Sequence, residues 1–183
     1  MGLFNKKDKN YEPKGKPLDF DPLNVKIGDL RPGFFVDYNF KTFEITAGFE
    51  YALKDYAFKA LKFDAADEIL WVVLENASET FLMESVGMAV INPELQNMMS
   101  NFGKPPATLT YKEVMYNFSN QSDGKFRDLL KNAMDWSRMA CWKYAAADGS
   151  AVLYALQKGQ NNFEVIIAKP INSGEFSNFL PKI

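Results

Sequence analysis

The chain has 183 residues, a formal net charge of -2 and no histidine. Hydrophobic residues make up 47% and aromatics 15%, led by 16 Phe and 8 Tyr. So much apolar surface offsets chain entropy and excludes disorder of the whole chain, and the length suits one domain or two small ones.

Further exclusions follow from residue type. Only Arg31, Arg127 and Arg138 carry the guanidinium fork that suits phosphates and base edges, so nucleic-acid binding is not expected. Without histidine there is no His general base, no Ser-His or Cys-His pair and no His metal ligand. Cys141 is the single cysteine, which excludes an intrachain disulfide and a structural zinc site within the chain. No apolar run reaches the ~20 residues of a membrane helix, and the N-terminus lacks the apolar stretch of a secretory signal. Lys6 also stands where a myristoylation pattern requires Ser or Thr. The expected setting is the cytoplasm, and no cofactor is expected.

Residues 1–24 form a polar segment rich in lysine and proline. Its ordinary reading is a flexible tail. Its functional reading is a protein or membrane-surface contact through Leu3, Phe4, Lys6, Lys7 and Lys9. From Val25 strand signals take over. Phe34–Leu53 holds two strands that bend within Asp37–Lys41, followed by strands at Tyr56–Phe63, Glu68–Glu75 and Glu79–Val86. Glu68–Glu75 is apolar on both faces, as a central strand would be. Asn92 caps a helix with Pro93 at its first position and Leu95, Met98, Met99 and Phe102 on one face.

Thr108–Phe118 reads as one strand and Asn120–Gly124 as a loop. Phe126, Leu129, Leu130, Ala133 and Met134 have the spacing of a second amphipathic helix, with Asp123 as its cap. Asp148-Gly149 marks a hairpin from Cys141 to Gln157. Phe163–Ile171 is a further strand, and Ser173, Gly174 and Glu175 open a terminal helical turn that carries Phe176, Phe179 and Leu180.

Two stretches echo one another. Lys62, Phe63, Ala65, Ala66 and Asp67 align with Lys143, Tyr144, Ala146, Ala147 and Asp148. After one inserted residue, Leu74 and Phe81 align with Leu156 and Phe163. The expected fold is therefore mainly β with α+β character. It has two related antiparallel meander halves, residues 25–104 and 105–183, packed as a sandwich or barrel. Two or three short helices complete it, one inserted in the second half.

Candidate chemistry is sparse. Asp64, Asp67 and Glu68 share a turn but lack an EF-hand's glycine and spacing, so a solvated turn is the simpler reading. Trp71, Trp136, Trp142, Tyr144 and Tyr154 are residues that stack on sugars and equally residues that build β cores. An aromatic surface is expected at Trp136, Trp142, Tyr144 and Tyr154. Cys141 reads as a buried inert thiol rather than a nucleophile. Met83, Met88, Met98, Met99, Met115, Met134 and Met139 read as core filling, or as an adaptable partner surface.

Short motifs at both ends resemble a bacterial family of unknown function, numbered 4178. At the start these are Lys26-Ile27-Gly28-Asp29, Gly33, Tyr38, Phe43–Tyr51 and Trp71. At the end they are Trp142-Lys143-Tyr144, Asp148-Gly149, Phe163-Glu164-Val165 and Glu175–Pro181. The Trp-Glu-Tyr expected early reads Phe49-Glu50-Tyr51 here. The resemblance brings no activity and no catalytic residues. It implies gene neighbours of the membrane-stress and polyamine-synthase-like types, and hence a cytoplasmic partner-binding role near the membrane. The leading expectation is a non-enzymatic protein-binding or assembly module with a protein partner or a second copy. The alternative is a small-ligand or carbohydrate-binding β domain, with or without carboxylate-based hydrolysis.

Overall fold

The computed structural model describes residues 24–102, 105–160 and 162–182. Among the described residues eleven antiparallel strands form one sheet: β1 Phe34–Tyr38, β2 Lys41–Leu53, β3 Ala57–Asp64, β4 Ile69–Glu75, β5 Glu79–Val86, β6 Thr108–Tyr111, β7 Val114–Asp128, β8 Ser137–Ala146, β9 Val152–Gln157, β10 Phe163–Ile171 and β11 Phe176–Pro181. Their order is β11-β1-β2-β3-β4-β5-β10-β9-β8-β7-β6, and β2 also pairs with β7. That extra pairing, from Phe49 opposite Asp128 to Leu53 opposite Gly124, closes β2-β3-β4-β5-β10-β9-β8-β7 into a barrel. Closure removes most of the open edges that a long sheet would present. The seam requires a glycine at 124, because a Cβ there would run into the Ala52 carbonyl oxygen.

The two halves repeat one pairing plan. Two-residue turns with both residues at positive φ join β1 to β2 (Asn39-Phe40) and β6 to β7 (Lys112-Glu113). A bulge follows at the same distance in each half, between Ile45 and Ala47 and between Phe118 and Asn120. Lys62 then lies opposite Ala47 and Trp71, as Lys143 lies opposite Asn120 and Tyr154. This register equates Trp71 with Tyr154, so the second hairpin carries two added residues where the sequence echo shows one. The halves share one closed sheet through β2–β7 and β5–β10.

Three apolar cores result. Tyr51, Phe58, Val73, Phe81, Cys141, Tyr154, Leu156 and Ile166 fill the barrel. Outside the first half, Phe34, Val36, Phe43, Phe63, Val72 and Phe176 pack beneath β1 and β11. Outside the second, two short helices, α1 Met88–Ile91 and α2 Leu95–Phe102, and the β6–β7 hairpin cover Trp142, Tyr144, Leu153, Val165 and Ile167. β4 is apolar on both faces for this reason: Val73 turns into the barrel while Val72 and Leu74 serve the outer core.

Four local expectations are corrected. The helix expected around Phe126–Met134 does not form. Gly124–Asp128 is strand, paired with β2 on one side while Gly124–Phe126 also pairs with β8 on the other. A lone short helix is marginal in water, whereas these ladders close the barrel. Asn120–Gly124 is strand for the same reason, despite its polar sequence. Thr108–Phe118 breaks into β6 and β7 at Lys112-Glu113. The terminal helical turn is confined to a 3-10 turn at Ser173–Glu175, after which β11 pairs with β1 and Phe176 stacks on Tyr38 at 4.6 Å.

Candidate interaction groove

A carboxylate and an ammonium meet inside the barrel. Glu75 ends β4 with its side chain 5% exposed, and Lys143 reaches it from β8 at 2.6 Å. Tyr154 donates a hydrogen bond to the same carboxylate. The Lys143 ammonium also lies 4.8 Å from the Tyr56 ring centre and 5.5 Å from that of Tyr154. Beside them the Tyr56 hydroxyl and Cys141 Sγ are 3.2 Å apart. Burial pushes the Cys141 thiol up to about 12, and burial followed by nearby Cys141 and Glu75 pushes the Tyr56 and Tyr154 phenols above their usual range. These groups keep their protons at neutral pH, and the cluster ties β4, β8 and β9 together.

Lys158, just beyond β9, makes a comparable lock. Its side chain is 8% exposed, and its ammonium lies 4.9 Å from the Phe49 ring and 5.0 Å from the Tyr51 ring and contacts Glu164 at 2.5 Å. The rings between the two locks pack on one another, Tyr51 on Phe58 at 4.3 Å and Phe58 on Tyr154 at 4.9 Å. The barrel interior is thus occupied by its own side chains.

A groove lies outside the barrel, where the 3-10 turn Ile27–Asp29 and the end of β7 approach β2 and β3. It is a row of adjoining pockets, one at Ala57, Leu74 and Ala77, the next sharing Lys59 and Glu50 with it, and another at Lys131 and Ala133 that shares Arg31, Arg127 and Leu129 with the second. Gly28 is pressed so tightly on the β4–β5 turn that a Cβ would sit 2.8 Å from the Ala77 Cβ. Lys59, on the outer face of β3, donates to the carbonyls of Gly28 at 2.7 Å and Leu30 at 3.5 Å. Burial lowers its affinity for the proton.

The β7–β8 loop forms the far wall and is pinned. Arg127 Nε donates to Glu50 at 2.6 Å and its Nη1 to the Ala133 carbonyl at 2.8 Å. The Trp136 ring carries Lys125 at 4.7 Å and Arg127 at 4.8 Å. The backbone amides of Leu130 and Met134 donate to Asp128 and Asn132. Two large apolar side chains are thereby held in water, Leu130 at 63% and Met134 at 82% exposure.

Of the residues singled out from sequence that the structure describes, Trp136 and Met134 lie on the β7–β8 loop. Leu3, Phe4, Lys6, Lys7 and Lys9 lie outside the described residues. Trp136 is partly buried and props the loop. Trp142, Tyr144 and Tyr154 are buried at 2%, 0% and 0%, so the expected aromatic surface is corrected to core. They occupy strand positions on the covered faces, where aromatic area contributes most by leaving water. Asp67 and Glu68 both accept from Lys41, and Asp64 accepts from Lys62. The methionines divide: Met88, Met99 and Met139 are core, whereas Met115 and Met134 are exposed. Lys59, Arg127, Lys131 and Leu130 were missed as site residues. The one available signal was a lysine interrupting the apolar run Ala57–Leu61.

The architecture defines a class of protein, a closed antiparallel barrel built from two similarly paired halves with an aromatic interior. The chain matches the family described as Domain of unknown function (DUF4178) over residues 31–173 and belongs to it. No curated protein and no solved structure matches the chain. Among the described residues, no helix is long and apolar enough to cross a membrane.

Proposed function

We propose that this chain is a non-enzymatic protein-binding or assembly module whose binding face is the β7–β8 loop and the groove beneath it. The carrying observation is the pair Leu130 and Met134, large apolar side chains held out by a loop that is itself tied down. Exposed side chains on a preordered loop bind without a large ordering cost. A bacterial cytoplasm and a working place near the membrane belong to the same proposal. They rest on the lysines of the N-terminal segment and on the gene neighbourhoods of the family.

The test uses sizing and cross-linking on the full chain and on a chain lacking residues 1–24, with a photoreactive side chain at position 134. The expected result is one discrete cross-linked species that Leu130→Asp abolishes. A strictly monomeric chain with no discrete product from position 134 overturns the proposal. The alternative, a small-ligand or carbohydrate domain, needs an open cavity holding aromatics and facing acids. The packed rings at Tyr51, Phe58 and Tyr154 favour the first reading.

A further inference from the structure

We propose that the groove receives an acidic, extended segment of the partner protein, with one of its carboxylates seated on Lys59. This inference rests on the reading of the chain as a protein-binding module. Lys59 presents a desolvated cation whose hydrogen bonds go to two backbone carbonyls, and no ion pair joins it to a carboxylate among the described residues. Glu50 and Asp29 act on it without forming an ion pair with it, and Arg31 and Arg127 oppose them, so an arriving carboxylate that reaches the ammonium directly gains more here than at an open surface. The groove's own acids are engaged. Glu50 is held by Arg127 at 2.5 Å, Asp29 accepts from the Lys26 amide at 2.8 Å, and Asp128 accepts from the Leu130 amide at 2.9 Å.

The groove continues on both sides of Lys59. Towards Lys131, 69% exposed and 3.9 Å from Asp128, the lining carries Arg31, Arg127 and Lys131 against the single carboxylate of Asp128. Towards Ala57, Leu74 and Ala77 it is apolar. That sequence of surfaces fits a carboxylate flanked by an aliphatic side chain. An extended peptide supplies this alternation in register, whereas a free anion supplies only the charge.

The test uses the full chain and a labelled, capped hexapeptide alternating Leu and Glu, against the same peptide with Gln for Glu. Fluorescence anisotropy should show the Glu peptide binding about tenfold tighter at about 50 mM salt, the advantage shrinking at about 500 mM. Lys59→Met, which keeps the aliphatic stem, should remove most of that advantage. Lys131→Glu should reduce it without touching the fold, so it and the salt series decide the matter if Lys59→Met folds poorly. Equal binding of the two peptides, an advantage indifferent to salt, or displacement by equimolar inorganic phosphate or a single-stranded oligonucleotide would each overturn the inference. Peptide binding only after removal of residues 1–24 would also overturn it, assigning the groove to the chain's own N-terminal segment. Loss of the position-134 cross-link with peptide binding intact overturns only the proposed module. An intact cross-link with no charge-dependent peptide binding overturns only this inference.

Discussion

Replacing Lys143 by methionine tests whether the barrel interior depends on its buried ion pair. Methionine keeps the length of the stem and removes the charge. Glu75, 5% exposed, would then keep its Tyr154 hydrogen bond but lose its only ion-pair partner among the described residues. Breaking a buried pair costs about 3–5 kcal/mol. Lys143 is itself 21% exposed, so water partly replaces it and the low end, about 3 kcal/mol, applies. For a chain of this size that lowers Tm by about 6–12 °C. Glu75→Gln combined with Lys143→Met removes both charges of this pair and should recover about half the loss, giving a coupling above about 1 kcal/mol. Urea denaturation followed by tryptophan fluorescence supplies the four corners of the cycle. A single-variant loss below about 1 kcal/mol, or no coupling, would refute the claim that the pair locks β4 to β8 and β9.

Gly28→Ala should cost about 1–3 kcal/mol, because its Cβ would meet Ala77 at 2.8 Å; Ala77→Gly, at φ 61, should rescue it in a thermal melt and alone stabilise by about 1 kcal/mol. Cys141, with its thiol pushed up to about 12, should resist alkylation at pH 8 in the folded protein and react once denatured; rapid labelling of native protein would contradict its burial. Hydrogen bonds from Lys112 and then Tyr111 hold the Glu84 carboxyl below its usual range. Its contribution to stability is therefore full above the unfolded-state value and falls as pH drops through the folded one; Glu84→Gln should flatten the acid limb of a stability–pH curve below about pH 4.5, and an unchanged limb would refute it.

Much of the fold was legible because strand patterns are local. β1 to β5, the Asp148-Gly149 turn and β10 follow from alternation and turn chemistry. The misreadings share a cause. Phe126, Leu129, Leu130 and Met134 do have helical spacing, and no local feature reveals that Gly124–Phe126 will be paired on both sides. Phe176–Pro181 likewise becomes strand only because β1 offers an edge. Trp142, Tyr144 and Tyr154 were correctly placed in strands, but β8 and β9 are covered on both faces, and bulges at Ile45 and Phe118 reverse the alternation along β2 and β7. The groove was illegible because its cations come from distant parts of the chain and meet only when β2 joins β7.

Composition by itself determined the missing histidine chemistry, the lack of an intrachain disulfide and an aromatic β-rich core. Those conclusions need only residue types and periodicity. Tertiary structure alone decided that the two meanders close into one barrel, that Trp142, Tyr144 and Tyr154 are core, and that Lys59 lies in a groove beside Leu130 and Met134. Each depends on pairing between segments far apart in sequence, whose partners are chosen by closure and burial together.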